Sequence, residues 1–328
     1  MRITVTNDVF PLAKVFTISR GSKTEAVVVR VEIEEGGETG RGECVPYARY
    51  NETVESVTAQ IKSLSLPITR ETLQAQLPAG AARNAVDCAL WDLEAKRAGK
   101  SVWELAGIEA PKPEVTAYTL SLDTPQNMLE EARKNSSRPL LKIKLGGKDD
   151  IKCIEAVRKG APNARIIVDA NEGWTPELYQ EIAPVLLNLG VEMVEQPFPA
   201  GADDALKNLK RVLPVCADES CHDRTSLPDL EGKYDMINIK LDKTGGLTEA
   251  LALRDLARKQ GYQIMVGCMV GSSLAMAPAV LVAQNAEVTD LDGPLLLAKD
   301  RPNGLQYDDG RVRPPQAELW GAPSNPLA

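Results

Sequence analysis

One event recurs along this chain and limits what it can fold into: a short apolar run that stops abruptly at a carboxylate. Ile166, Ile167 and Val168 run into Asp169, with Asn171 and Glu172 just behind. VEMVEQP at 191–197 ends the same way at Glu195, and PVCADES at 214–220 at Asp218. Runs of this length, bounded by polar clusters, read as buried strands. Extended in both directions at a spacing of about 25 residues, the pattern gives eight strand candidates, at 115–120, 140–145, 165–170, 191–196, 214–219, 236–242, 263–268 and 288–293. Helical segments separate them. The fold class is therefore α/β, and eight such units suggest a (β/α)8-type barrel of about 185 residues, compact against the usual ~250. A doubly wound sheet also alternates strand and helix, but it gives no account of charged residues at nearly every strand end.

The first 112 residues read differently. Residues 2–6 and 26–34 are strand candidates, the glycine-rich stretch 35–42 turns into a return strand, and helices are expected at 54–63, 70–76 and 81–100, the last stopped by Gly99. Asp87 and Asp92 are expected to be solvated or paired on that helix. The polar segment FTISRGSKT at 16–24 reads as a surface loop or as a mobile lid, in which Arg20 and Lys23 would meet an anionic substrate. APKPE marks the boundary to the barrel, so the division is a mixed unit at 1–112 and a barrel at 113–299.

Composition excludes several classes. The net charge is -8 and the basic residues are not clustered, which argues against nucleic acid as a partner. Six cysteines with no CxxC pair read as reduced thiols, consistent with a cytoplasmic protein. His222 is the single histidine, which removes the usual zinc site, the Ser/His triad and the Cys/His dyad; it is read as a loop residue. Any metal must be held by oxygens. No apolar run reaches 18 residues, so neither a signal peptide nor a membrane span is expected.

Charged groups at strand ends then carry the chemistry. Asp169, Glu195 and Asp218, on three successive strands, would repel one another unless a cation sat between them, and hard oxygen donors select Mg2+. Lys144 comes from the second strand and Lys240 from the sixth, which stand opposite each other in an eight-strand ring. Lys142 shares the face of Lys144 and is expected to push a neighbouring lysine toward its neutral form. Two lysines facing one carbon can remove a proton from one side and return it on the other. Beside a carboxylate, with the cation offsetting the enediolate charge, the outcome is racemisation or epimerisation.

KIK at 142–144, DANE at 169–172, EQP at 195–197, ADES at 217–220 and NIK at 238–240 together resemble the enolase superfamily, muconate-lactonising subgroup. DLDGP at 290–294, GCM at 267–269 and KLDKTGG at 240–246 are similar to the L-Ala-D/L-Glu dipeptide epimerases of that group. The resemblance implies a modified (β/α)7β barrel with an α+β capping domain, to which the tail at 300–328 returns. It implies Asp169, Glu195 and Asp218 as Mg2+ ligands and Lys144 and Lys240 as the acid/base pair. Asp290 and Asp292 would meet the free ammonium of a dipeptide, with Lys142 also at the substrate. Arg20 or Lys23 would meet a glutamate side chain, and Asn171, Glu219 and Asp242 would support the ligands from behind. The partner is then a small dipeptide of murein recycling, and a homo-oligomer is compatible with the sequence. The alternatives are an epimerase for another dipeptide, or an N-acylamino acid racemase, an o-succinylbenzoate synthase or a cycloisomerase of the same subgroup. Further away stand a Schiff-base aldolase using Lys144 or Lys240, and a metal-binding protein with no activity.

Overall fold

The computed structural model describes residues 1–147 and 149–322; the last six residues of the tail lie outside the described residues. The chain opens with an antiparallel meander, β1 (Arg2–Ile18), β2 (Gly21–Glu35) and β3 (Glu38–Cys44). Val29, Val31 and Ile33 alternate along β2 and are buried, and helices α1 (Val54–Lys62), α2 (Arg70–Gln76) and α3 (Ala81–Ala98) cover that face. α1 and α2 each start from a threonine, Thr53 and Thr69, in a reciprocal capping box. α3 lies unusually close to β3, because a Cβ at Gly40 or Gly42 would run into the carbonyls of Ala89 and Ala85.

One expectation fails in this unit and another holds only in part. The segment 16–24 is a hairpin tip and not a loop: Phe16 pairs with Lys23, Thr17 with Ser22 and Ile18 with Gly21. Its polar composition suits a two-stranded ribbon whose side chains largely face solvent, so no alternation marks it. Asp87 and Asp92, expected to be solvated or paired on α3, are both fully buried; Asp92 is paired there with Lys96, while Asp87 is not solvated. Asp92 accepts from Lys96, from the amide of Arg41 and from the amide of Gly321; Asp87 accepts from the amide and hydroxyl of Thr248. These bonds satisfy the carboxylates and fasten α3 to the tail and the barrel.

After α4 (Val102–Ala106) come β4 (Glu114–Val115), β5 (Tyr118–Leu120) and α5 (Pro125–Lys134), then β6 (Leu140–Lys144), α6 (Asp150–Gly160), β7 (Arg165–Asp169), α7 (Pro176–Asn188), β8 (Val191–Glu195) and β9 (Val215–Ala217). The chain continues through α8 (Leu227–Leu230), β10 (Met236–Ile239), α9 (Leu241–Thr244), α10 (Leu247–Lys259), β11 (Gln263–Val266), α11 (Ser273–Val282) and β12 (Val288–Thr289). β5 to β12 form one eight-stranded sheet in sequence order, every described pairing parallel, and a Thr116–Thr289 bridge joins its two ends. The eight strand candidates are thus the eight barrel strands. The helical layer is less regular than a (β/α)8 pattern: β8 is followed only by a 3-10 turn at Asp204–Lys207, because Pro197, Pro199 and Gly201 break that stretch. β12 is followed by another such turn, Gly293–Leu296; β13 (Tyr307–Asp308) then pairs with β14 (Arg311–Val312), and β14 with β4.

The barrel interior is layered. Ala117, Leu140, Ile167, Met193, Cys216, Met236, Met265 and Val288, one per strand position, form a separate buried apolar cluster. Side chains on one face of a strand recur every second residue. Two residues beyond each member of that cluster stand Thr119, Lys142, Asp169, Glu195, Asp218, Asn238, Gly267 and Asp290. An apolar floor is therefore followed by a polar ring, and the ring lies toward the carboxyl ends of the strands. The six cysteines are free and all but Cys268 are buried. Among the described residues no helix is long and apolar enough to cross a membrane.

Candidate active site

The carboxylates at and just beyond the polar ring are met by buried lysines. Lys144 Nζ lies 2.6 Å from Asp169 Oδ2. Lys142 Nζ lies 2.7 Å from Glu195 Oε2, 2.7 Å from Asp290 Oδ2 and 3.4 Å from Asp169 Oδ2. Across the barrel, Lys240 Nζ lies 2.6 Å from Asp218 Oδ2 and Lys243 Nζ 2.6 Å from Asp218 Oδ1. Lys142, Lys144, Asp169, Glu195, Asp218 and Lys240 are all buried, so each charge depends on these partners.

The backbone bends sharply just past the carboxylates. Asn171, Glu172 and Gln196 hold positive φ angles of 45°, 67° and 35°, uncommon for such residues and concentrated where two strands leave the barrel. Asn171 donates to Asp169 through its amide and its side chain, at 2.8 and 3.1 Å. Gln196 Oε1 accepts from the amides of Asp218 and Ser220, and its Nε2 donates to the Phe198 carbonyl, Ser220 and Tyr234. One buried amide thus sets the end of β9 against the end of β8.

The field in the ring shifts the acids apart. Burial pushes Asp169 up, but the ammonium groups of Lys144 and Lys142 outweigh it and hold the carboxyl at about 2. Burial raises Glu195 to about 7, reinforced by the charge of Asp169 and only partly offset by Lys142. Asp218 is held well below the usual range because Lys240 and Lys243 overcome its burial. Glu219 and Asp292 are each pushed up to about 7 by burial, then by Asp218 and by Asp290 respectively. Burial lowers Lys240, yet the charges of Asp218 and Glu195 more than offset it and raise its pKa; Lys142 is raised in the same way by Asp290 and Glu195.

These side chains open on a cavity of about 770 Å³. Lys142, Lys144, Asn171, Asp218, Glu219, Lys240, Asp290 and Asp292 line its base, and the hairpin tip with Tyr47 and Tyr50 forms its roof. A more open groove of about 930 Å³ lies near the amino ends of β9 and β11 and holds no comparable constellation. In the roof, Arg20 is fully engaged: it donates to the Asn171 carbonyl at 2.9 Å, Glu172 at 3.1 Å, Tyr47 at 3.2 Å and Glu219 at 2.7 Å. Lys23 stands 5.1 Å from the centroid of the Tyr47 ring and is exposed. Asp292 accepts from the Thr119 amide at 2.6 Å. His222 packs edge-on against Tyr50 outside this cavity.

Asp242 does not support the carboxylates. Its Oδ1 accepts from the Val45 amide and from Asn84, so it ties the barrel to the N-terminal unit; α9 turns it away from the ring while Lys240 points in. The sequence reading passed over Gln196 and Lys243. Lys243 could have been found from its place three residues after Lys240 in KLDKTGG, a spacing that shares a helical face.

Among the described residues no three acidic, histidine or cysteine side chains close up as a ready metal cage, since lysines stand against the carboxylates. The donor set still fits a hard cation. Asp169 and Glu195 are register partners on adjacent strands and Glu195 pairs with Cys216, two residues before Asp218. Glu195 Oε2 meets Lys142 only as an ion pair, out of line for a hydrogen bond, and is buried without a hydrogen-bond partner, as are Asn171 Oδ1 and Asp290 Oδ1. Free oxygen lone pairs are what Mg2+ requires.

Comparison with known proteins agrees with this arrangement. Residues 1–107 match the N-terminal domain model of the mandelate racemase / muconate lactonizing enzyme family, and residues 127–322 match the enolase C-terminal domain-like model. The chain belongs to the mandelate racemase / muconate lactonizing enzyme family. Within it, the chain is 48% identical over 316 residues to the L-Ala-D/L-Glu epimerase of Escherichia coli K12, covering 94% of this chain and 98% of that protein. It is also 48% identical over 292 residues to an N-acetyl-D-glutamate racemase from a Pseudoalteromonas species, covering 87% and 92%. Among solved structures, an enolase family member from Agrobacterium tumefaciens, described as homologous to dipeptide epimerases and holding sodium and L-Ala-L-Glu with an ordered loop, superposes with a TM-score of 0.95. That protein is 51% identical, with 97% of this chain and 99% of that one covered.

Proposed function

We propose that this member of the mandelate racemase / muconate lactonizing enzyme family is a Mg2+-dependent isomerase, an epimerase of dipeptides with L-Ala-D/L-Glu as the substrate. The observation that carries the reading is the pair Lys144 and Lys240, each 2.6 Å from a different carboxylate on opposite walls of one cavity. Asp169, Glu195 and Asp218 would hold the ion. When bound, Mg2+ supplies positive charge beside the substrate carboxylate and so offsets the second negative charge of an enediolate.

The chain's own residues do the rest. One lysine, as the amine, takes the α-proton of the C-terminal residue: the C–H bond breaks and an N–H bond forms. The opposite lysine, as the ammonium, returns a proton to the other face and inverts the centre. Buried walls exclude water that would otherwise reprotonate at random. Asp290 and Asp292 suit the substrate's free ammonium, because Asp290 Oδ1 has no hydrogen-bond partner and both side chains line the cavity. Lys142 sits where it can neutralise Glu195 and Asp290 while bordering the substrate. Of the two lid cations, Lys23 suits an anionic side chain, since Arg20 is already committed to Glu172 and Glu219. Recycling of murein peptides in the cytoplasm is the setting that this substrate and the free thiols support.

A second reading has one specific support, the relative named N-acetyl-D-glutamate racemase at equal identity. Incubation in deuterated water with Mg2+ decides between the two. L-Ala-L-Glu and L-Ala-D-Glu are expected to gain one mass unit at the glutamate α-carbon and to interconvert. Exchange of N-acetylglutamate alone, with both dipeptides inert, would overturn the epimerase reading.

A further inference from the structure

Asp218 is gripped by two ammonium groups at once, and they are not equivalent. Lys240 Nζ, on Oδ2, borders the cavity. Lys243 Nζ, on Oδ1, stands behind it with no side-chain exposure (0%). Its three protons go to Asp218 Oδ1 at 2.6 Å, the Asp218 carbonyl at 2.6 Å and the Asn238 carbonyl at 2.9 Å. The side chain of Asn238 donates in turn to Glu195 Oε1 at 2.8 Å. One buried ammonium therefore fastens Asp218 directly and Glu195 at one remove. Local sequence explains the geometry: Lys240 is the N-cap residue of the one-turn helix α9, Lys243 lies three residues later on the same face, and Gly245 at φ 77° ends the turn.

We propose that Lys243 is a positioning residue for the second base: as the fixed counter-charge of Asp218 it leaves Lys240 able to let go of that carboxylate and face the substrate α-carbon. The proposal rests on the two-lysine reading above. A buried carboxylate needs a counter-charge within contact distance. Without Lys243, that need would fall to Lys240 and to the ion that Asp218 would hold, and in a poorly screened interior the Lys240–Asp218 pair would be harder to part. Lys144 carries no such burden, because its partner Asp169 is also approached by Lys142 and bonded by Asn171. Loss of Lys243 should therefore handicap one face of the reaction and spare the other.

The test is α-proton exchange in deuterated water, followed by NMR from each pure epimer at saturating Mg2+, with calorimetric titration to establish that every protein is loaded. Lys144→Ala and Lys240→Ala first identify which epimer presents its proton to which lysine. Lys243→Met is then expected to slow exchange from the Lys240-facing epimer by about 10–100-fold, the usual cost of removing a group that orients a ligand, with little change from the other epimer. Lys243→Gln, which keeps N–H donors without the charge, should show a smaller asymmetry in the same direction and serves equally if the methionine variant fails to fold. Equal slowing from both epimers assigns Lys243 to holding the fold or the ion and overturns the proposal, as does no slowing at all. Wild-type protein that exchanges neither epimer refutes the two-lysine reading itself, and the proposal falls with it.

Discussion

Arg20 and Glu219, 199 residues apart in sequence, are joined by a 2.7 Å hydrogen bond that ties the tip of the lid hairpin to the residue after Asp218. Glu172 extends this tie, since it accepts from both Arg20 and Arg49. Arg20→Met should therefore loosen the roof for every substrate, raising KM and lowering kcat together. Lys23→Met should act selectively. It is expected to lower kcat/KM for L-Ala-L-Glu by about tenfold, the value of one charge-assisted bond, and to leave L-Ala-L-Gln nearly unchanged. Steady-state kinetics on the two dipeptides separate these outcomes.

Substrates with and without a free ammonium should respond oppositely to loss of the acidic pair at the end of β12. Asp290→Asn combined with Asp292→Asn removes both charges with little change in shape. Dipeptide turnover should fall by at least about 10²-fold, as for an unpaired buried charge, while any activity on N-acetylglutamate survives. Unchanged dipeptide kinetics in the double variant would remove the ammonium-binding role.

Acidic groups at the junction of the two units predict how stability depends on pH. Burial raises Asp242 from 3.8 to about 7 and Asp87 from 3.8 to about 6. Each binds a proton more tightly folded than unfolded, so its contribution is complete below about pH 4 and is lost as pH rises through the folded value. Asp242→Asn keeps an Oδ1 to accept from Val45 and Asn84. Relative to wild type, this variant should gain stability between pH 4.5 and pH 8, by roughly 2–4 kcal/mol at about 1.4 per pKa unit. Urea denaturation of both proteins at the two pH values measures the difference.

Glu43 and Arg301 make the other deep tie between the units. Glu43 has a fully buried side chain, accepts from Arg301 at 2.6 Å and also from Ser272, while Arg301 reaches Asp8. Arg301→Met strands a carboxylate in the interior and should cost about 3–5 kcal/mol. Adding Glu43→Gln should recover part of that loss, a coupling readable in a double-mutant denaturation cycle.

Within the polar ring Gly267 is the one position without a side chain. A Cβ there would lie 2.7 Å from Asn238 Oδ1 and 3.1 Å from Lys240 Cε. Gly267→Ala should displace both, lowering kcat by about 10²-fold for a shift near 1 Å with a much smaller effect on melting temperature.

The barrel was legible because its signal is local and repeated: eight apolar runs, nearly all stopping at a polar residue, leave little choice of topology. The opposition of Lys144 and Lys240 follows from counting strands, and the two do flank one cavity. What stayed hidden depends on tertiary partners. Nothing in FTISRGSKT marks it as paired strands, since one side roofs the cavity, the other meets solvent, and it has no alternation to read. The burial of Asp87 and Asp92 was not legible because the donors that satisfy them, Thr248, Arg41 and Gly321, are remote in sequence.

The two-residue step from the apolar cluster to the polar ring separates two burdens within each barrel strand. Cohesion rests on Leu140, Ile167, Met193 and their neighbours, and reactivity on the residues one pleat above them. A change of preferred substrate can therefore be sought in the roof, at Lys23 or Tyr47, without touching either layer. A single-residue insertion in any of these strands, by contrast, would exchange inward and outward side chains and forfeit both at once.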